Sequence, residues 1–324
     1  MIEVISATAL ATVQDLGRHG SLGYGVGTSG AMDTLSLRLG NLLLGNDEDA
    51  AGIEIPLFPF EVRFVDDCTF AITGAACAAS LDGERLPGNW VAQARKNQVL
   101  RLNYPTMGSR VYLCLAGGVD VPLVLGSRST QLRGAFGGWQ GRALQQGDVI
   151  PAGAANEPRA SDFGVQSSVA ALPLMLDGLP AIRVLPAAEF DCFSAEAQAT
   201  FFAGEWKITT QSNRYGYRME GTPLIAREAL EIRSHGIVPG VIQVPHGGQP
   251  IVQMRDAQPS GGYPKFATVI EADLWRLGQA PIGSKVRFVQ CSYDEAVEAL
   301  DTNHAFIEDT RRMLALRSLQ GHRG

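Results

Sequence analysis

Residues 234–270 read SHGIVPGVIQVPHGGQPIVQMRDAQPSGGYPKFATVI. Two apolar, β-branched runs, residues 241–244 and 250–254, flank the turn His246-Gly247-Gly248-Gln249. Such runs joined by a short glycine turn read as an antiparallel hairpin. The exit from the hairpin is both polar and stiff. Arg255, Asp256, Gln258, Ser260, Tyr263 and Lys265 fall within residues 255–265, together with Pro259, Gly261, Gly262 and Pro264. A plain surface loop rarely needs that rigidity and that density of donors and acceptors. The stretch therefore predicts a β domain and marks a first candidate site.

Short β-branched runs recur on either side of it, at residues 3–5, 60–65, 68–73, 99–102, 110–116, 182–185, 206–210, 229–232 and 286–290. They alternate with turn signals supplied by 37 glycines and 17 prolines. This is the pattern of a mainly antiparallel β protein of barrels or sandwiches, and no strand–helix alternation speaks for a doubly wound fold. Helices are few. Leucines at 35, 39, 42 and 43 form one helical face over residues 34–44, with Asp33 as N-cap and Gly45 as stop. A short helix is expected at 194–203, and Ser292-x-x-Glu295 has the form of a capping box opening a helical tail. A polar stretch at 156–168 suggests a linker at about 155–180, dividing an N-terminal domain, 1–165, from a C-terminal one, 180–324.

Composition narrows the function. With 324 residues, 45% hydrophobic and 19% charged, the chain can bury a sizeable core. Its net charge of −6 and lack of a basic run argue against nucleic acid. The apolar runs are too short to span a membrane, and the N-terminus lacks a secretory pattern, so a cytoplasmic protein is expected. Five scattered cysteines without a C-x-x-C pair read as buried free thiols, and no metal site is expected.

Several motifs invite a chemical reading. Residues 25–30 fit G-x-G-x-x-G but follow a glycine-rich loop instead of a strand, which removes the dinucleotide reading. The start of the following helix, with Ser29, Met32 and Asp33, remains a possible anion site. Residues 278–285, GQAPIGSK, carry their lysine in the wrong place for a phosphate loop and read as a turn. His246-Gly247-Gly248 resembles an oxyanion loop, but no G-x-S-x-G elbow accompanies it. Two further polar patches stand out. One holds Ser127, Arg128, Ser129, Thr130, Gln131 and Arg133 between glycines; the other is Ser212-Asn213-Arg214-Tyr215-Gly216-Tyr217-Arg218. Their arginines suit carboxylate or phosphate. Equally, they suit ion pairs, Arg128 and Arg133 with internal acids such as Asp120 or Asp148, and Arg214 and Arg218 with Glu220 and Glu54. Lys265, next to Asp256 and Gln258, is favoured as a functional cation.

Val13-Gln14-Asp15-Leu16-Gly17-Arg18, Ser29-Gly30-Ala31-Met32-Asp33, Leu125-Gly126-Ser127-Arg128-Ser129-Thr130, Gly137-Gly138-Trp139-Gln140-Gly141-Arg142 and the Ser212–Arg218 patch occur in this order. Together they resemble the family called allophanate hydrolase subunit 2, or biotin-dependent carboxyltransferase, whose members include KipA and the C subunit of 5-oxoprolinase. The resemblance implies two linked cyclophilin-like β-barrels. It implies a companion of the KipI type, the B subunit of a 5-oxoprolinase, and a third, A subunit of the LamB/YcsF type. It implies ATP-dependent cleavage of 5-oxoproline to glutamate by that complex, with the chain inactive alone and ATP at or across a subunit interface. Two alternatives stay open: a carboxyltransferase-like subunit acting on urea or another amide, with biotin carried by another protein, and a KipA-type protein that sequesters a sensor-kinase inhibitor. In the first reading Lys265, Asp256 and Gln258 are the expected catalytic residues. Arg128, Ser129, Asn213, Arg214, Arg218, Gln253 and Tyr263 are the expected substrate contacts. The chain departs from the family at Pro186-Ala187-Ala188, at Tyr215, and at Asp256-Ala257-Gln258-Pro259-Ser260, where an Arg and two Thr are usual.

Overall fold

The structure, a computed structural model, describes residues 1–155, 162–228 and 232–321. The expected strand at 229–232 and the expected linker at 155–180 lie partly outside these residues. Two compact units form. One comprises residues 1–18, 29–172 and 303 onward; the other comprises 19–28 and 173–302.

The first unit holds one ten-stranded sheet. Its strands are β1 Ile2–Ser6, β2 Thr12–Gln14, β3 Gly52–Ile55, β4 Phe60–Phe64, β5 Cys68–Leu81, β6 Glu84–Leu86, β7 Trp90–Ala94, β8 Val99–Leu115, β9 Val149–Ile150 and β10 Phe163–Gly164. The spine is the antiparallel pair β5–β8. Sequence suggested shorter strands at 68–73, 99–102 and 110–116. Instead, β5 runs on past Gly74, and β8 crosses Pro105 and Gly108 as one strand. Register shifts between Gly74 and Ala79 absorb the irregularity, with Gly74 and Gly108 at positive φ. β4 shows the period-two logic plainly: Phe60, Val62 and Phe64 are buried while Glu61 and Arg63 are not. Each such apolar side chain contributes about 1.5–3 kcal/mol on burial.

Helix α1, Thr34–Leu44, packs on this sheet. Asp33 caps it through Ser36 N, and Gly45 ends it in the left-handed conformation, as the sequence predicts. Gly40 faces Cys114, whose sulfur would lie 2.6 Å from an added Cβ. Thr73 Oγ1 bonds Ser36 O at 2.7 Å. A short helix α2, Ser168–Ala171, follows β10.

The second unit contains a closed barrel. Its strands are β11 Met175–Leu176, β12 Leu179–Pro186, β13 Trp206–Ile208, β14 Gly216–Glu220, β15 His235–Gly236, β16 Val241–Gln243, β17 Ile251–Gln253, β18 Ser260–Gly261, β19 Lys265–Val269 and β20 Lys285–Gln290. The order β12-β19-β16-β17-β14-β13-β20 returns to β12 through a parallel pairing of β12 with β20, so these seven strands leave no free edge. Ile182, Val184, Ile208, Tyr217, Met219, Ile242, Val252, Ala267 and Phe288 fill one face of that ring, all buried. The predicted hairpin at 241–254 is β16–β17. Helix α3, Ala195–Ala203, places Phe201 against Phe266, Trp206 and Phe288. After α4, Leu274–Gln279, and β20 comes the helical tail α5, Tyr293–Gly321. Its capping box closes as expected: Glu295 N donates to Ser292 Oγ, and Ser292 N to Glu295 Oε2.

Candidate functional site

The hairpin exit folds back over the barrel's outer face. In antiparallel ladders, residues directly opposite one another share a face. Lys265 lies opposite Gln243, Gln243 opposite Ile251, and Ile251 opposite Arg218. These residues form one cross-strand row on the face away from Tyr217, Ile242 and Val252. Gln243 and Gln253 are buried there, which is unusual for an outer face. The segment around β18 covers them. Gly261 sits so close that an added Cβ would lie 2.9 Å from Gln243 Nε2. The amides answer one another: Gln253 Nε2 donates to Gln243 Oε1 at 3.0 Å, and Gln243 Nε2 donates to Tyr263 O at 3.1 Å. A buried amide left without such partners would cost about 1–3 kcal/mol.

At the β17 end of this cover Arg214 and Asp256 meet. Arg214 Nε and Nη2 donate to the two carboxylate oxygens at 3.0 and 3.1 Å. Both side chains are more than nine-tenths buried, and Asp256 N also donates to Arg214 O. Asp256, expected to be catalytic, uses both oxygens to hold the guanidinium. Beside the pair, Tyr215 Oη donates to Gln258 Oε1 at 2.6 Å and Tyr215 N donates to Asn213 Oδ1 at 2.8 Å. Arg255 Nη2 donates to Glu271 Oε1 at 2.9 Å. The loop of residues 19–28 packs against the same turn, for an added Cβ at Gly27 would lie 2.5 Å from Ala257 O. Lys265 is fixed by its backbone, with N donating to Glu189 Oε2 at 2.8 Å and O accepting from Glu189 N. Its amine has no hydrogen bond or ion pair among the described residues. A half-buried, uncommitted ammonium on a stiff strand can polarise a carbonyl or hold an oxyanion.

Arg128 and Ser129 belong to the other unit, where they serve Asp15. That carboxylate accepts from Gly17 N, Ser127 Oγ, Arg128 N and Ser129 Oγ. Arg18, wholly buried, donates to Val124 O and Ser129 O, both at 2.9 Å. The two motifs quoted from residues 13–18 and 125–130 are therefore one braced cluster. Ser129, expected to touch substrate, is enclosed and donates its hydroxyl to Asp15. The Arg128 side chain pairs loosely with Asp120 at 3.3 Å, largely in solvent.

The possible anion site at the start of α1 is occupied by the protein's own acids. Met32 N donates to Glu54 Oε2, Asp33 N to Tyr112 Oη, and Tyr112 Oη to Glu54 Oε2, within 2.7–2.8 Å. Burial and the neighbouring Glu54 and Asp33 charges push the Tyr112 hydroxyl well above its ordinary value. Glu54 pairs with Arg110 at 3.6 Å and Glu220 with Lys207 at 3.4 Å. At residues 278–285, Lys285 pairs with Glu205 and Ser284 Oγ donates to Pro281 O. At both places the named donors are engaged by groups of this chain. Among the described residues no cluster of His, Cys, Asp and Glu could hold a metal, and no helix is long and apolar enough to cross a membrane. The five cysteines are free; Cys114 and Cys291 are buried and the other three are half-buried.

Sequence reasoning missed Glu189 and Gln243 as organising residues, for neither carries a local signal. Asp15 lay inside a quoted motif, and Glu54 was named only as an ion-pair partner.

A family model described as carboxyltransferase domain, subdomain A and B, matches residues 24–290. The chain is 43% identical to the C subunit of 5-oxoprolinase from Escherichia coli (strain K12), over 95% of this chain and 97% of that one. It is 39% identical to the C subunit of 5-oxoprolinase from Haemophilus influenzae, over 97% of this chain and 99% of that one. Among solved structures, the urea amidolyase of K. lactis superposes with a TM-score of 0.86 at 30% identity, over 95% of this chain. The chain spans only 20% of that much longer protein.

Proposed function

This chain belongs to the carboxyltransferase-domain family, subdomains A and B, and from that premise we propose that it is the C subunit of an ATP-dependent 5-oxoprolinase that converts 5-oxoproline to glutamate. The observation that carries the proposal is the nearly end-to-end match to two proteins of that name. In this reading the chain works in the cytoplasm as part of a hetero-oligomer, with a KipI-type companion as B subunit and a LamB/YcsF-type protein as A subunit, and is inactive alone. ATP is held by those partners or at their interface, since the two phosphate-like places on this chain are engaged internally.

The chemistry asks for little else from this chain. A lactam resists opening because its amide is resonance-stabilised. A cation aimed at the carbonyl oxygen stabilises the charge that develops there. Lys265 is the group suited to that, and Gln258 and Tyr263 line the same cover. The likeness to urea amidolyase favours a second reading, in which the chain takes part in carboxyl transfer to urea or another amide with biotin on another protein.

One experiment separates the two. The chain is combined with its companions and given 5-oxoproline and ATP, or urea, bicarbonate and biotinylated carrier. Glutamate release in the first mixture alone supports the first reading; carboxylation in the second alone replaces it.

A further inference from the structure

The cross-strand row that contains Lys265 extends further. Thr209 N bonds Arg218 O, and Ile208 lies opposite Met219, so Thr209 stands directly opposite Arg218 on the outer face. Arg218 is three strands from Lys265, about 14 Å at the usual strand spacing. Arg218 therefore marks a second place on the same outer face, set apart from the backbone of Lys265.

That place is a cleft of about 510 Å³ between the β13–β14 turn and the β16–β17 turn. Arg218, Thr209, Thr210, Gln211, Glu220 and Gly247 are among its walls. Arg218 is exposed and has no ion pair among the described residues; its backbone is held by Ser212 Oγ and by Thr209 N. Thr209 Oγ1 is enclosed and has no hydrogen-bond partner among the described residues. Buried hydroxyls rarely stay unsatisfied without a ligand or water to meet them. Glu220 is neutralised by Lys207 at 3.4 Å, which leaves one uncompensated cation in the cleft.

We propose that this cleft binds a small monocarboxylate, with Arg218 as anchor and Thr209 Oγ1 as second donor. The guanidinium fork matches two carboxylate oxygens. A single cation in the cleft matches a monoanion better than a phosphate dianion. The volume accommodates an amino-acid-sized body. The site does not rest on the catalytic reading, because Lys265 is not among its walls.

The test is titration of the chain alone, followed by heteronuclear NMR, with L-5-oxoproline, L-glutamate, acetate and inorganic phosphate as probes. At least one carboxylate is expected to saturate in the millimolar range, with shifts centred on the amides of Thr210, Gln211 and Gly247. Arg218→Gln is expected to weaken binding about tenfold or more, and Thr209→Val several-fold, with thermal melts confirming that both variants fold. Undiminished binding by Arg218→Gln, shifts centred elsewhere, preference for phosphate, or no saturable carboxylate would each overturn the proposal.

Discussion

Four donors converge on the Asp15 carboxylate, and three of them come from residues 127–129. Asp15→Ala strands two buried hydroxyls and two N–H groups, so a loss of about 3 kcal/mol or more is expected in urea denaturation; a loss under about 1 kcal/mol would contradict the bracing role. Cys114 allows a second check. Burial pushes its thiol from 9.0 up to about 12. The folded state keeps that proton while the unfolded thiol ionises, so this contribution to stability is intact below pH 9 and declines as pH rises from 9 toward 12. At a pH below that window a thiol reagent should modify Cys114 only at the rate of unfolding. Lys265 tests the chemistry: Lys265→Gln in the reconstituted complex is expected to lower kcat about a hundredfold or more, as for loss of an oxyanion donor, and unchanged kcat would remove it from the reaction. At this scale the sequence was legible where partners are local. Asp33 and its Ser36 N–H are three residues apart, and the cap was read correctly. Asp15 and Ser129 are 114 apart, and no spacing announces them.

At the scale of elements, the Arg214–Asp256 pair ties the start of β14 to the exit of β17. Removing one partner leaves a buried charge alone. Arg214→Met or Asp256→Asn should each cost about 3–5 kcal/mol, and the double variant clearly less than their sum. Additive losses would show that the pair is not a unit. The β16–β17 hairpin and helix α1 were legible because turn glycines, caps and periodicity all agree. The full length of β5 and β8 was not. Glycine and proline mark strand ends in sequence, but here the neighbouring strands carry the chain across them with shifted register.

Across the whole molecule, the mainly β composition and the family motifs were readable from residues alone. Closure of the seven-stranded barrel was not, since it depends on β12 pairing with both β19 and β20, far apart in sequence. The candidate site was read as one set of residues; within the barrel Lys265 and Arg218 stand three strand spacings apart along one outer row. Position on a sheet face depends on register, which sequence does not display. The central claim concerns the chain as a member of an assembly. Its most direct test is 5-oxoproline-dependent ATP hydrolysis by the companion subunits, with this chain present and with it left out. Turnover in the full mixture that falls to background without the chain is the predicted result; equal turnover in its absence, or none in its presence, would contradict it.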